Sequence, residues 1–460
     1  MQEKAISIRN LYELSEDQLK QLKTVTVVGW VKNNRNSGKV GFIALHDGTC
    51  FKNLQVVYDA DKPFFNDASR YKMGSAVRFV GELVLTPGMK QPFEVHATEA
   101  VLLGDVADDY PLQKKKTSFE YLRDLAYLRP RTNTFDAVFR VRSVLAMGVH
   151  TFFQNNGFVY VHTPEITGND AEGAGSVFTV ITDSKEDPIN DFYGRRASLT
   201  VSGQLHVEAF ALAFKDVYTF GPTFRAEKSN TPRHASEFWM IEPELAFADL
   251  DDDMDCIESC IKFLIQWVMD KCPDEMDFFD RWIAPGVKDK LNHVLNSPFR
   301  RMEYTEGIKI LQEAVKNGHK FENNNIEWGM DLQSEHERYL TEEYVKGPTF
   351  LMNYPKEIKA FYMRENDDGK TVAAVDLLVP GEGEIVGGSQ REERYDILKA
   401  KMDKIGNTEG LEWYLNLRKY GGCIHSGFGI GFDRLLMYIT GIANIRDTEP
   451  YPRTSSALKY

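Results

Sequence analysis

The stretch FRAEKSNTPRHASEFWMIEPELAF, residues 224–247, decides the fold of the larger part of this 460-residue chain. Its two apolar arms flank the polar, proline-containing segment KSNTPRHAS, a pattern that predicts two strands joined by a loop. Because alternate residues of a strand share a face, we expect Arg225 beside Glu227 on one arm and Phe238 beside Glu242 on the other. A face with an arginine, an aromatic ring and carboxylates is costly to bury unless it binds a charged ligand. A solvated hairpin with cross-strand ion pairs would explain the charges, but not their combination with Phe238.

The side chains of this hairpin fit a ligand that combines a phosphate, an aromatic base and an ammonium group. Arg225 can bind a phosphate oxygen, Phe238 can stack on a base, and Glu242 can accept from an ammonium or amide. His234 in the loop can close over more distal phosphates.

A glycine-rich strand predicts a second wall of the same cavity. In CIHSGFGIGFDRLL (423–436), glycines alternate and leave one face of the strand as bare backbone, which permits the close approach of a ligand. Gly431 ends this pattern, and Arg434 opens the following helix, where it can meet a phosphate.

A third stretch, DLLVPGEGEIVGGSQRE (376–392), supplies acidic residues on neighbouring predicted strands. Asp376 and Glu384 are suited to holding Mg²⁺ against phosphates. Arg391 follows a glycine pair and could point into the same cavity.

The order of strand and helix signals predicts two domains with a connector. Residues 1–105 contain short strand patterns broken by turn residues, which predict a small β-barrel, and 106–133 read as the connector. Residues 134–460 mix strands and helices without a regular βαβ period, beginning with a helix that Thr134 could cap. Neither GxGxxG nor GxxxxGK[ST] precedes a helix in this part. We therefore expect an α+β domain with an antiparallel sheet and flanking helices.

The composition of the chain limits where we expect it to be located and what we expect it to bind. The longest apolar runs are short and the first residues lack an apolar signal core, so neither a membrane partner nor export is expected. Five scattered cysteines favour free thiols in the cytoplasm over a zinc site. The net charge of −13 does not exclude a nucleic-acid partner, because a local face can still bind one.

The predicted barrel offers a candidate face for nucleic acid. Phe42 and Gln55 stand on its strands, and Arg35 sits in its first turn region. This combination suits single-stranded bases, through stacking and base-edge hydrogen bonds. Core packing of Phe42 and solvation of Arg35 explain the same residues equally well.

Several long motifs resemble the class II aminoacyl-tRNA synthetases. FRAE…RHASEFWMIEPE resembles their motif 2, GFGIGFDRLL their motif 3, and GFVYVHTPEI (157–166) their motif 1. The N-terminal barrel resembles the OB-fold anticodon domain of the aspartate–asparagine–lysine subgroup. Within that subgroup, VSGQLHVE (201–208), EGEIVGGSQRE (382–392) and IHSGFGIGFDR look like the asparaginyl members.

The resemblance implies a reaction and a set of roles. It implies ATP-dependent attachment of L-asparagine to tRNA(Asn) through an asparaginyl-adenylate, with Mg²⁺ on Asp376 and Glu384 and a homodimer formed through motif 1. The implied catalytic residues are Arg225, Arg434 and Glu384, and the implied ATP-binding residues are Arg225, Glu227, His234, Phe238, Glu384, Gly431 and Arg434. The implied asparagine-binding residues are Glu172, Ser202, Gln204, Glu242 and Arg391, and the implied anticodon-binding residues are Phe42, Gln55 and Arg35.

Three alternatives remain open on sequence alone: an aspartyl member of the subgroup, an asparagine synthetase on the same fold, and a paralogue that only binds tRNA. The barrel argues against the second, and the joint presence of Arg225, Glu384 and Arg434 argues against the third. Aspartyl members place a lysine three residues after the glutamine that matches Gln204, where this chain has Val207. We expect Val207 beside the substrate side chain, although an ordinary core valine would explain it equally well.

Overall fold

The computed structural model describes residues 4–114, 117–169, 176–182, 189, 191–229 and 231–460. The chain forms two compact units, residues 1–137 and 138–460. This division places the predicted connector, 106–133, with the first unit.

The first unit is built around a closed barrel, as predicted. Its strands follow the order β1-β2-β3-β5-β4. Its strands are β1 (Thr24–Asn36), β2 (Val40–His46), β3 (Leu54–Asp59), β4 (Ala76–Leu85) and β5 (Phe93–Gly104). Its helices are α1 (Ile8–Glu13), α2 (Glu16–Gln21), α3 (Phe65–Ala68) and α4 (Phe119–Arg123), with a 3₁₀ turn at Arg129–Arg131. Inward side chains such as Val27, Ile43, Val56 and Phe79 are fully buried and form the barrel core.

The second unit is built on an eight-stranded sheet in the order β12-β13-β14-β15-β16-β11-β10-β6. These strands are β6 (Val159–Tyr160), β10 (Asp216–Phe224), β11 (Glu237–Ala246), β12 (Arg300–Glu303), β13 (Thr349–Pro355), β14 (Thr371–Val379), β15 (Gly383–Gln390) and β16 (His425–Gly431). A three-stranded sheet consists of β7 (Ile166–Thr167), β8 (Thr179–Val180) and β9 (Ala197–Leu199). The central strands of the large sheet pair antiparallel as predicted, but β12 and β6 pair in parallel with β13 and β10, so the sheet is mixed.

Helices flank the large sheet, as the sequence predicts. They are α6 (Gln204–Phe214), α7 (Leu250–Lys271), α8 (Pro273–Trp282), α9 (Val287–Asn296), α10 (Tyr304–Lys316), α11 (Ser334–Arg338), α12 (Tyr395–Ile405), α13 (Glu412–Asn416) and α14 (Phe432–Thr440). A π-helical turn lies at Tyr339–Tyr344, and 3₁₀ turns lie at Lys356–Ile358 and Ile445–Asp447. In the described part of the chain, no helix has the length and apolar character that a membrane span needs.

Three local predictions differ from the structure. Helix α5 (Asn133–Asn155) already includes Thr134, so Thr134 is not its N-cap. The pattern FVYVHTPEI (158–166) predicts a strand closed by Pro164, but the strand in the structure covers only Val159–Tyr160. The first arm of the 224–247 hairpin ends at Phe224, so Arg225 and Glu227 lie in the loop and do not share a strand face.

Candidate active site

The loop and strands of the 224–247 hairpin open onto a cleft whose empty volume is about 710 Å³. Arg225, Glu227, His234 and Phe238 line one side, although the first three are carried by the loop. Glu384, Gly431 and Arg434 line the other parts of the cleft, as do Arg233 and Gly429. Every residue of the predicted nucleotide site is therefore brought to one cavity.

Arg225 packs against Phe238 in the cleft and keeps one hydrogen-bond donor, its Nε, available for a ligand. Its guanidinium carbon lies 5.4 Å from the centre of the Phe238 ring, a cation–π distance. Its Nε is buried and has no hydrogen-bond partner among the residues that the structure describes. Since a buried donor of this kind costs stability, the arrangement is suited to an acceptor supplied by a ligand.

The loop that carries His234 is anchored to the C-terminal part of the chain. The backbone nitrogen of Ile445 donates to the Pro232 carbonyl at 2.8 Å, and Arg446 donates to the Thr231 carbonyl at 3.2 Å. Burial lowers the pKa of His234, and the cation Arg434 lowers it further.

Asp433 fixes β11, which carries Phe238, relative to α14, which carries Arg434. It is buried, it pairs with Arg142, and it accepts from the backbone nitrogen of Trp239 at 3.1 Å. Because Trp239 follows Phe238 on β11 and Asp433 precedes Arg434 on α14, this one carboxylate ties both elements together.

Two carboxylates converge at the floor of the cleft. A Cβ placed on Gly387 would lie 3.3 Å from a Glu384 oxygen and 3.4 Å from an Asp376 oxygen, so both face the bare backbone at this position. Burial and the neighbouring charge of Asp376 raise the pKa of Glu384 to about 7. Lys359 donates to Asp376 at 2.6 Å and partly offsets this negative charge.

These carboxylates fit a magnesium ion that is shared with phosphates. The described residues contain no group of three or more His, Cys, Asp or Glu side chains placed to hold a metal alone. Mg²⁺ at nucleotide sites commonly takes one or two carboxylates and completes its shell with phosphate oxygens and water. Burial and the charge of Asp376 raise the pKa of Glu384, and a divalent cation beside the two carboxylates would favour the ionised form.

A buried polar cluster contains the described residues of the predicted amino-acid site. Ser202 donates its hydroxyl to Glu242, whose other oxygen accepts from the Gly203 nitrogen at 2.9 Å. The Gln204 nitrogen donates to Ser202 Oγ at 3.1 Å. The Glu242 carboxylate thus holds the N-terminus of α6, and Ser202 and Gln204 with it. Glu172 lies outside the described residues.

Arg391 pairs with Glu244 and not with Glu242. Its guanidinium donates to both Glu244 oxygens, the longer contact being 3.2 Å, and to Ser389 Oγ at 2.8 Å. Burial alone would lower the pKa of Arg391, but the Glu244 carboxylate raises it. A Cβ on Gly427 would lie 2.4 Å from the Glu244 carboxyl, so this glycine makes room for the pair.

A further buried carboxylate, Glu208, lies beside Gln204, whose Nε2 donates to it at 3.1 Å. It accepts from Arg418 Nη2 at 3.0 Å, from His425 Nε2 at 3.0 Å and from the Tyr414 hydroxyl at 2.8 Å. Burial opposes its ionisation, but Arg418 and His425 hold the pKa of Glu208 below its usual range. Sequence reasoning missed Glu208, although it lies four residues after Gln204 on a helix. Strand alternation does place Glu244 on the face of Glu242, but sequence reasoning gave Glu244 no role.

The structure changes the interpretation of Val207. Its side chain is fully buried in a small apolar cluster with Val161, Ala211 and Val217. The expectation that it lies beside the substrate side chain is wrong, and the ordinary core valine is the correct interpretation.

The barrel brings its three predicted residues to adjacent strands. Arg35 lies on β1, not in a turn, and pairs directly with Phe42 on β2. Phe42 is half-buried and alternates with the fully buried Ile43, so it faces outward instead of into the core. Gln55 lies on β3, opposite Ala44 of β2, and donates to Glu94 at 2.8 Å.

Comparison with known families defines the class of protein. The family model described as tRNA synthetases class II (D, K and N) matches residues 118–455. A model described as OB-fold nucleic acid binding domain matches residues 25–103. A class II synthetase catalytic region therefore follows an OB-fold region, which confirms the predicted fold class.

Individual relatives narrow this class. Asparagine–tRNA ligase of Alkaliphilus metalliredigens is 55% identical over 99% of this chain and 100% of the relative. The asparagine–tRNA ligase of Clostridium novyi is 56% identical over 95% of this chain and 96% of the relative. The chain belongs to the class II tRNA synthetases and, within them, to the family of asparagine–tRNA ligases, which confirms the resemblance seen in its motifs.

Solved structures agree with this assignment. Asparaginyl-tRNA synthetase from Pyrococcus horikoshii, complexed with asparaginyl-adenylate, superposes with a TM-score of 0.86 at 32% identity and covers 99% of each chain. The Entamoeba histolytica enzyme, in complex with the same adenylate, superposes with a TM-score of 0.84 at 26% identity, again over 99% of each chain.

Proposed function

We propose that this chain attaches L-asparagine to tRNA(Asn) in two steps, through an enzyme-bound asparaginyl-adenylate. The observation that carries the proposal is the convergence of Arg225, Phe238, Glu384 and Arg434 on one cleft. The asparagine–tRNA ligases that the chain resembles, and the adenylate bound in two of the related structures, support the choice of reaction.

In the first step, the carboxylate of asparagine attacks the α-phosphorus of ATP and pyrophosphate leaves from the opposite side. Arg225 neutralises the α-phosphate, with its buried, unused Nε available as a donor. Phe238 stacks on the adenine, Glu227 accepts from its amine, and His234 and Arg434 hold the γ-phosphate. The backbone at Gly431 allows the nucleotide to lie close to β16. No protein nucleophile is needed, because positioning and charge neutralisation lower the barrier.

Asp376 and Glu384 would hold Mg²⁺, which neutralises phosphate charge when bound. Lys359 orients Asp376 through its 2.6 Å contact. Arg434 faces Glu384 across the cleft, and this attraction partly offsets the burial of both groups.

In the amino-acid subsite, Ser202, Gln204 and Glu172 would contact the α-groups, and Glu242 and Arg391 the side-chain amide. The pairing of Arg391 with Glu244 supports asparagine over aspartate. Arg391 and Arg418, the guanidinium groups of this cluster, are both already paired with buried carboxylates. A substrate carboxylate would therefore enter a region whose cations are neutralised, next to Glu242, and its burial would be poorly compensated.

In the second step, the 3′-hydroxyl of the terminal adenosine of the tRNA attacks the mixed anhydride and releases AMP. The outer face around Arg35, Phe42 and Gln55 would bind the anticodon, where Phe42 can stack on a base and Gln55 can read its edge. Assembly into a homodimer through motif 1 and location in the cytoplasm stay predictions from the sequence.

ATP–pyrophosphate exchange with each of the twenty amino acids tests the proposal. We expect asparagine to support exchange and aspartate to do so at least about a thousandfold less efficiently, because their side chains differ in charge and not in size. Equal exchange with aspartate would assign the chain to the aspartyl activity. Exchange with no amino acid, in a folded protein that still binds tRNA, would favour the paralogue that only binds tRNA.

A further inference from the structure

The side-chain amide of Gln204 has one end engaged and the other end without a protein partner. Its Nε2 donates to Glu208 at 3.1 Å. Its Oε1 accepts no hydrogen bond from any residue that the structure describes. Gln204 opens helix α6, and its backbone nitrogen donates to Ser202 Oγ, which holds the main chain at this residue.

Glu208 fixes the rotation of the Gln204 side-chain amide, because its carboxylate accepts hydrogen bonds and cannot donate one. Its side chain is fully buried, and donors from Gln204, Tyr414, Arg418 and His425 surround its two oxygens. An ionised carboxylate can only accept, so it attracts the NH₂ end of the amide and repels the carbonyl end. A flipped Gln204 would place two acceptors against each other in a buried site, which costs stability.

We propose that Glu208 is a positioning residue, which holds the Gln204 amide so that Oε1 faces the substrate and accepts from its α-ammonium group. The inference rests on the proposed function, since it takes Gln204 as a ligand of the asparagine α-groups. It adds the buried residue that fixes the orientation of the Gln204 amide.

The proposal predicts that loss of the Glu208 contact weakens recognition of the substrate α-ammonium group. A hydrogen bond to a charged group contributes about ten- to a hundredfold in affinity. Loss of the Glu208 contact lets the amide turn, so asparagine should bind about tenfold or more weakly. Succinamate, which is asparagine without its amino group, cannot use Oε1 and should keep its affinity. The KM for ATP should not change, because the nucleotide cleft lies on other residues.

The test measures the KM for asparagine and the inhibition constant of succinamate in ATP–pyrophosphate exchange, for the full chain and its variants. Glu208→Gln removes the charge and allows either amide orientation. Glu208→Asp keeps a carboxylate for Arg418 but is one methylene shorter, so it withdraws from Gln204 and carries the test if Glu208→Gln does not fold. Tyr414→Phe is the matched control, because it removes another hydrogen bond to Glu208 without touching Gln204.

We expect both Glu208 variants to lose preference for asparagine over succinamate by about tenfold or more, and Tyr414→Phe to retain it. Equal weakening of both ligands would show a general structural role and overturn the inference, as would unchanged constants in a folded variant. A wild-type protein that does not activate asparagine at all would instead overturn the proposed function, so the two failures are distinguishable.

Discussion

Replacing Glu384 with glutamine should stabilise the protein at high pH while it removes activity. In the folded protein, burial and the charge of Asp376 raise the pKa of Glu384 from 4.5 to about 7. An unfolded chain releases this proton near pH 4.5, whereas the folded chain keeps it until about pH 7. The folded state therefore binds more protons in this window, and the free energy of unfolding falls as the pH rises through it.

The magnitude follows from the size of this pKa change. Each tenfold change in proton affinity is worth about 1.4 kcal/mol, but the Glu384 side chain is partly open to solvent, and screening reduces the cost of its ionised form to about 1 kcal/mol above pH 7. Glutamine has nearly the same shape and no charge to bury. The Glu384→Gln variant should thus be more stable than wild type by about 1 kcal/mol at pH 8, with little difference near pH 4.5.

Urea unfolding of both proteins at pH 5 and pH 8, without nucleotide or metal, measures this difference. Glu357→Gln serves as the control, because Glu357 is exposed and its replacement should change stability little at either pH. ATP–pyrophosphate exchange by Glu384→Gln should fall by about a hundredfold or more, since a charged contact with the reacting phosphates or their metal is lost. The reasoning is refuted if Glu384→Gln and wild type lose stability in parallel between pH 5 and pH 8.

Three further variants test separate parts of the structure. Arg434→Ala should reduce exchange by about a hundredfold or more with an unchanged melting temperature, and near-normal exchange would remove Arg434 from the site. Phe42→Ala should weaken charging of tRNA but leave exchange intact, because the residue lies on the outer face of the barrel; equal charging by both proteins would contradict its role. Val207→Lys should lower stability by at least about 2 kcal/mol without any gain in aspartate activation, because it places a charge in an apolar cluster. Thermal unfolding and exchange with aspartate measure this last pair of outcomes.

The sequence by itself determined those features that depend on neighbouring residues. The alternating patterns of residues 1–105 predicted the barrel, because strand periodicity and turn residues act over a few positions. The hairpin at 224–247 and the glycine-rich strand at 423–436 likewise carry their signals locally, and the long motifs within them predicted the family. The sequence also placed the nucleotide residues in one cavity, although it assigned Arg225 and Glu227 to a strand and not to the loop.

Only the tertiary structure decided which charged groups pair. Arg391 meets Glu244 across 147 positions of sequence, and Glu208 meets Arg418 across 210, because strand order and helix packing bring them together. Alternation along β11 places Glu242 and Glu244 on one face but does not say which of them reaches Arg391. Helical spacing likewise places Val207 and Glu208 side by side on α6 without deciding which faces the polar cluster. Burial decides both cases, because an unpaired charge in the interior is costly, and Glu244 and Glu208 are each folded against an arginine.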